Sequence, residues 1–372
     1  MRISEVVFDE KKRSLALACL RGVLRALSVV YGVLVWHRAL AYRLGLLKSY
    51  ALDSYVVSVG NITVGGTGKT PLVMALARQL RDKGHRVVVL SRGYKGASRG
   101  VCLVSDGRQV LVSKELAGDE PYLLAQRLPG VPVIVGRDRY AAGRVAVERL
   151  APDVVLLDDG FQHLKLRRDL DIVTIDCTAP FGNNRLLPRG PLREPLSALT
   201  RASLFCLTHA EQRAELDLIK QRLKSVKPNA DLFEARHCPI ALRTLSAPTE
   251  DLGTPFLSGK SVVALSAIAN PESFCRMLEG LGCRLLGRVS FPDHHAYKPG
   301  DLQAAARQAK DLNADCIVTT AKDAVRLPED WHSDPPTFVL EIAVEIEGIE
   351  CILGRIEIES RNARLDAQDV EG

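Results

Sequence analysis

The sequence predicts an α/β protein in two parts: a domain built on a parallel, helix-covered sheet, and a second, smaller α/β domain, both preceded by an N-terminal amphipathic helix. Three observations predict this. A chain of 372 residues exceeds the usual reach of one hydrophobic core. Short apolar, β-branched runs alternate with helical or loop segments from residue 55 onward, the pattern of a parallel sheet with crossover connections. The first of those runs leads through a glycine-rich loop straight into a helical pattern. The expected boundaries are 1–50 for the N-terminal arm, 51–238 for the first domain and 239–372 for the second.

Composition narrows the class further. With 47% apolar and 25% charged residues, disorder, collagen and miniature stapled scaffolds are excluded. The net charge of +6, from 50 basic and 44 acidic residues, suits an anionic ligand or an acidic lipid surface and carries no indication of nucleic acid. Nine cysteines are scattered singly, with no pair at zinc or redox spacing. That predicts reduced thiols and a reducing, cytoplasmic compartment.

The arm comes first in the chain. From Lys11 to Lys48 its only charges are Lys11, Lys12, Arg13, Arg21, Arg25, Arg38, Arg43 and Lys48, woven through Leu, Val, Tyr31 and Trp36 without an acid or a proline. Its longest uncharged run, Ala26 to His37, falls short of the ~20 residues that span a bilayer, so a helix lying on anionic lipid is expected. The alternatives are a core helix whose arginines snorkel outward and a true span with Arg21 and Arg25 at one edge.

Tyr55 to Val59 reads as a strand, followed by Gly60-Asn61-Ile62-Thr63-Val64-Gly65-Gly66-Thr67-Gly68-Lys69-Thr70 and a helix with Val73, Leu76, Ala77 and Leu80 on one face. Strand, glycine loop and helix in that order form a phosphate cradle of the P-loop NTPase kind. Main-chain N–H groups over residues 63–70 converge on an anion, Lys69 reaches the β- and γ-phosphates, and Thr70 is a Mg²⁺ ligand. The departure is Thr63, where the general pattern has glycine.

Further strands are expected at Val87–Leu90, Val133–Val135, Val154–Leu157, Ile172–Ile175 and Leu204–Leu207. Ligands of such sheets sit beyond the carboxyl ends of the strands. There the chain delivers Ser91-Arg92-Gly93-Tyr94 and Asp158-Asp159-Gly160-Phe161-Gln162-His163, the paired carboxylates being what Mg²⁺ beside a triphosphate requires. Gly118-Asp119-Glu120-Pro121 opens a helix, where acids also stabilise the first turn. Leu192-Arg193-Glu194-Pro195 closes a stiff loop suited to a substrate or phosphate rim. In the second domain, strands are expected at Val262–Leu265, Leu285–Phe291, Cys316–Thr319 and Phe338–Leu340, with a helix over Leu302–Leu312. Its chemical feature is Phe291-Pro292-Asp293-His294-His295, whose adjacent histidines point apart, leaving at most one for a site.

These blocks, in this order, resemble the tetraacyldisaccharide 4'-kinases, or lipid A 4'-kinases, over residues 55 to 327. In that family the phosphate loop looks like this one, so Thr63 is no anomaly; the chain departs from the pattern at Ala267 and Ala321, where glycine and glutamate are expected. The resemblance implies transfer of the γ-phosphate of ATP, with Mg²⁺, to the 4'-hydroxyl of a tetraacylated disaccharide 1-phosphate at the cytoplasmic face of the inner membrane. It implies Asp119 as the base with His294 as its partner, and Asp158 or Asp159 on the metal. Arg92, Tyr94, Arg137, Arg139, Gln162, His163, Arg193 and Glu194 are its candidates for the substrate shell. The rival readings are a P-loop GTPase, ATPase switch or metal-delivery protein, and a membrane-anchored scaffold holding nucleotide. Guanine recognition needs Asn/Thr-Lys-x-Asp, whereas Thr320-Ala321-Lys322-Asp323 has the wrong spacing, so ATP is expected.

Overall fold

A computed structural model describes residues 15–210, 216–245, 250–328 and 331–371; Lys11, Lys12 and Arg13 of the basic arm lie outside them. The chain forms two compact units, Met1–Arg236 with Glu345–Gly372, and His237–Val344.

The first unit opens with α1 (Leu15–Arg43), 29 residues long. Buried Ser28 and the partly covered Leu17, Arg21, Leu24, Tyr31, Gly32, Val35 and Ala39 make one narrow stripe at about helical spacing, which widens at Leu40, Ala41 and Tyr42. Leu20, Val23, Leu27, Val29, Val30, Val33, Leu34 and Trp36 remain exposed. An 18-residue stretch within Leu17–Arg43 has mean hydropathy 1.7 and is 6% buried, so by length and composition the helix is able to cross a membrane.

The sheet of this unit runs β7-β6-β1-β5-β2-β4-β3: Leu204–Thr208, Leu170–Asp176, Tyr55–Gly60, Val154–Asp158, Val87–Ser91, Val133–Val135 and Cys102–Ser105. The first six are mutually parallel; β3, unexpected from the sequence, is an antiparallel edge. Every residue of β1 is buried because helices cover both faces, which is why it reads as an unbroken apolar run. Helix α2 (Lys69–Asp82) lays Leu72, Val73, Leu76, Ala77 and Leu80 inward. Helices α3 (Asp119–Arg127) and α4 (Arg139–Leu150) follow, the latter capped by Asp138, which accepts from Tyr140 N and Ala141 N. Helix α5 is Leu216–Val226.

Strand β8 (Asp231–Thr244) leads out of this unit, its first residues pairing in parallel with β7. The expected boundary near 239 thus falls inside a strand; Pro239 and a mixed polar pattern hid it. In the second unit β9 (Ser261–Ser266), β10 (Arg284–Ser290), β11 (Cys316–Thr320) and β12 (Thr337–Ile346) form a parallel run in the order β10-β9-β11-β12. Alternation decides its two cores: Val262 and Ala264 pack with Phe274 and Leu278 of α6 (Pro271–Gly280), while Val263 and Leu265 pack with Leu302 and Ala305 of α7 (Pro299–Asp311).

The expected second domain of 239–372 is shortened at its end, since α8 (Ile349–Glu371) belongs to the first unit. It buries Ile352, Leu353 and Ile356, and its Glu359 accepts a hydrogen bond from Tyr55 Oη. Lys83 Nζ lies 3.2 Å from Glu357 and 3.3 Å from Glu350. All nine cysteines are free thiols.

Candidate active site

The phosphate loop leaves β1 at Gly60, where a Cβ would sit 2.7 Å from Phe161 N, so strand and post-β5 turn meet only because glycine is there. Gly65 and Gly68 take left-handed φ values of 115° and 80°, and α2 begins at Lys69 with no acid in its first turn. The positive end of α2 and its unpaired first-turn amides are therefore not neutralised by an acid of their own first turn. Thr63 is not among the left-handed positions, which explains why glycine is not needed there. From below, a buried polar network holds the loop. Asn61 Nδ2 donates to Thr67 Oγ1 at 2.9 Å, Thr67 Oγ1 lies 2.7 Å from Thr174 Oγ1 on β6, and Thr208 Oγ1 on β7 donates to the Thr67 carbonyl at 3.2 Å.

Beyond β5, Asp159 has φ 57° and turns its carboxylate towards Lys69 Nζ at 3.4 Å and Arg193 Nη1 at 2.8 Å from both oxygens. Burial alone would raise the Asp159 pKa, but Lys69 and Arg193 together hold it down at about 2. Gln162 joins them: its Oε1 accepts from Arg193 at 3.3 Å and its Nε2 donates to the Asn61 carbonyl at 2.8 Å. Asp158 is different in kind. It is 3% exposed, and burial, then repulsion from Glu120 and Asp159, pushes its pKa up to about 7. Its Oδ1 is buried with no hydrogen-bond partner. Such an orphaned oxygen among carboxylates fits a divalent cation, which would supply the missing positive partner.

Glu120, read from the sequence as a first-turn acid, is thus the strongest charge acting on Asp158. No spacing rule points to it.

The Arg92–Tyr94 turn and Asp119 are brought together by glycines. A Cβ at Gly118 would lie 2.6 Å from the Tyr94 carbonyl, and one at Gly93 would lie 2.3 Å from Val135 Cγ1, both at left-handed φ. Gly118 caps α3, so Asp119 sits at the first helical position. Arg92 and Arg137 are exposed.

Three residues expected in the substrate shell are tied to partners within the protein. Arg139 is 2% exposed and gives Nη1 to the Gly136 carbonyl at 2.6 Å and Nη2 to the Asp158 carbonyl at 3.2 Å. His163 Nε2 accepts from Arg139 N at 3.3 Å, and burial with Arg139 lowers its pKa to about 4, so the ring is neutral. Glu194 is buried against Arg201 at 2.8 Å, whose guanidinium lies 4.4 Å over the Phe161 ring.

In the second unit His294 adopts φ 60°, a strained conformation for a non-glycine residue. Arg326 Nη2 lies 3.1 Å from its Nδ1. A guanidinium only donates, so Nδ1 accepts and the neutral ring carries its proton on Nε2. Lys322 Nζ, also donor-only, is 3.5 Å from Nε2, a crowded approach of two donors rather than a good hydrogen bond. His295 turns away, stacked on Phe291 and bonded to Asp301 at 2.8 Å. Asp323, the acid a guanine motif would need, is buried and bonded to Thr320 Oγ1, Ala267 N and Tyr297 Oη.

Comparison with known proteins places these features in a family. The family model described as tetraacyldisaccharide-1-P 4'-kinase matches residues 20–355. The chain is 43% identical over 320 residues to a tetraacyldisaccharide 4'-kinase of Halothermothrix orenii, covering 83% of each chain. It is 46% identical over 293 residues to one of Anaeromyxobacter dehalogenans, covering 78% of this chain and 77% of that one. Among solved structures, LpxK from Aquifex aeolicus in complex with ATP superposes with a TM-score of 0.72 at 35% identity, covering 92% of this chain and 99% of that one. The chain therefore belongs to the tetraacyldisaccharide-1-P 4'-kinase family, and it is an enzyme that transfers phosphate.

Proposed function

We propose that this kinase transfers the γ-phosphate of ATP to the 4'-hydroxyl of a tetraacylated glucosamine disaccharide 1-phosphate. The observation that carries the reading is the cluster of Lys69, Asp158, Asp159 and Arg193 at the mouth of a glycine-shaped phosphate loop. The main-chain amides of residues 63–70 and Lys69 hold the triphosphate, while Arg193, Gln162, Arg92, Tyr94 and Arg137 are the candidate groups facing acceptor and phosphate. Thr70 and Asp158, with Asp159 alongside, would hold Mg²⁺, which when bound neutralises phosphate charge. Asp119 is the proposed acceptor of the hydroxyl proton, and His294, its proton set on Nε2 by Arg326, its proposed partner. Labelled ATP and a lipid A disaccharide precursor are expected to give labelled lipid. Acceptor-independent hydrolysis alone would favour a switch, and neither reaction a scaffold.

Asp158 makes Mg²⁺ binding depend on pH. Its folded pKa of about 7 means that the carboxylate is protonated progressively as pH falls through that value. Metal needs the ionised form, so affinity is full at higher pH and is lost as pH falls through the raised Asp158 pKa. Mn²⁺ binding to the nucleotide-free protein, followed by paramagnetic resonance, should show this, and Asp158→Asn should flatten it. A flat wild-type profile removes Asp158 as a ligand.

We further propose that the protein sits peripherally on the cytoplasmic face of the inner membrane through α1. The exposed residues of α1 form an apolar surface far larger than single scattered side chains. Its midpoint residues Ser28 and Tyr31 are hydrogen-bonded to main-chain atoms of residues 186–193. In a spanning helix the midpoint lies in hydrocarbon, which argues for lying on the bilayer. Full-length protein should float with anionic vesicles and a chain starting at Asp53 should not. Equal flotation of the two sinks this reading.

A further inference from the structure

The stripe by which α1 docks mixes Leu24 and Val35 with polar Ser28 and Tyr31 and with Gly32, and its polar members make directed bonds. Ser28, 8% exposed, accepts from Arg189 N at 3.0 Å, and its one hydroxyl proton is shared between the Leu186 carbonyl and the Leu24 carbonyl of its own helix, each at 2.9 Å. Tyr31 Oη donates to the Arg193 carbonyl at 2.8 Å. Burial, then Glu194, raises the Tyr31 pKa, so the hydroxyl stays a donor at neutral pH. Two turns on, Arg38 Nη2 donates to the Gln162 carbonyl at 3.0 Å. Between them Gly32 lets the helix approach closely, since a Cβ there would meet Leu186 Cδ1 at 2.9 Å.

The partners of these bonds are the segments that build the site. Of Arg193 and Gln162, whose carbonyls α1 holds, the first bonds to Asp159 through its side chain and the second accepts from that same guanidinium. The 186–193 loop is also zipped to the phosphate loop: Val64 N donates to the Pro191 carbonyl at 2.8 Å and Arg193 N to the Ile62 carbonyl at 2.7 Å. One unbroken series of contacts leads from the apolar helix through that loop to the carboxylate beside Lys69.

We infer that α1 is a brace for the phosphoryl-transfer site, with Tyr31 and Ser28 as positioning residues that set Arg193 against Asp159. The inference rests on the kinase reading and deepens it. Both residues act only through the loop, so freeing it lets the guanidinium wander from its place while the amide cradle still binds ATP. Catalytic geometry is sensitive to such displacements.

The test compares wild type, Tyr31→Phe and Ser28→Ala as full-length proteins on vesicles carrying the disaccharide acceptor. Freeing the loop should lower kcat about fivefold in each variant, with KM for ATP and flotation unchanged and Tm lowered by no more than about a few degrees. Ser28→Thr, which restores the hydroxyl, should recover most of the loss. A kcat equal to wild type in both, or a loss that only tracks a lowered Tm, overturns the inference while the kinase reading stands. No transfer by the wild type removes both.

Discussion

Replacing Lys69 by alanine should lower kcat by about 10²–10³, the usual cost of removing one preorganised charge-stabilising donor from a transition state. Its Nζ is the charged donor that the phosphate loop itself provides, and its side chain is 12% exposed, so neighbouring charges act on it with little screening. The variant should fold normally. Asp159, the carboxylate that Lys69 faces, keeps the two-oxygen contact with Arg193 and so is not left as an isolated buried charge. Lys69→Arg should not restore activity, because a planar guanidinium does not reproduce a compact ammonium inside a loop held by the Asn61–Thr67–Thr174 network. Steady-state kinetics with a thermal melt of each variant decides the matter. Turnover within fivefold of wild type would mean that the loop is a structural turn.

How much of this was legible in the sequence depended on whether a signal was local. The six parallel strands of the first unit were visible because burial on both faces makes them continuous apolar runs, and Asp158 could be placed because it ends such a run. The edge strand β3 has four residues and little pattern, and β8 was masked by Pro239 and its mixed polarity. Residues that act across the fold were illegible for another reason. Thr174 and Thr208, which shape the loop around Thr67, lie 107 and 141 positions away from it, so no motif joins them. Arg139 and Glu194 are charges in suggestive blocks whose partners only the fold reveals: the Gly136 and Asp158 carbonyls for one and Arg201 for the other. Glu120 is illegible for the same reason, since its field falls on Asp158, 38 positions away in the chain.

Asp119→Ala should lower kcat by about 10²–10⁴, the range for a positioned general base. Its position is over-determined: Gly118 takes φ 87° and ψ 156°, a conformation open essentially to glycine, and leaves no room for a Cβ beside the Tyr94 carbonyl. Glycine is required there, and it fixes where the chain enters α3 at Asp119. His294 carries the same mark, a left-handed φ together with a ring nitrogen held by Arg326, which in turn is paired with buried Asp323. His294→Ala should therefore cost turnover on a similar scale. The double variant is the decisive measurement. If the two residues serve one proton transfer, removing both should cost little more than removing either, because the first loss already disables the unit. Losses that multiply in full would make them independent contributors, and an unchanged kcat in Asp119→Ala would take the base away from Asp119 altogether. Asp119→Asn sharpens the point, since it preserves shape while abolishing basicity: it should be as slow as the alanine variant if proton acceptance matters, and close to wild type if the carboxylate only caps α3.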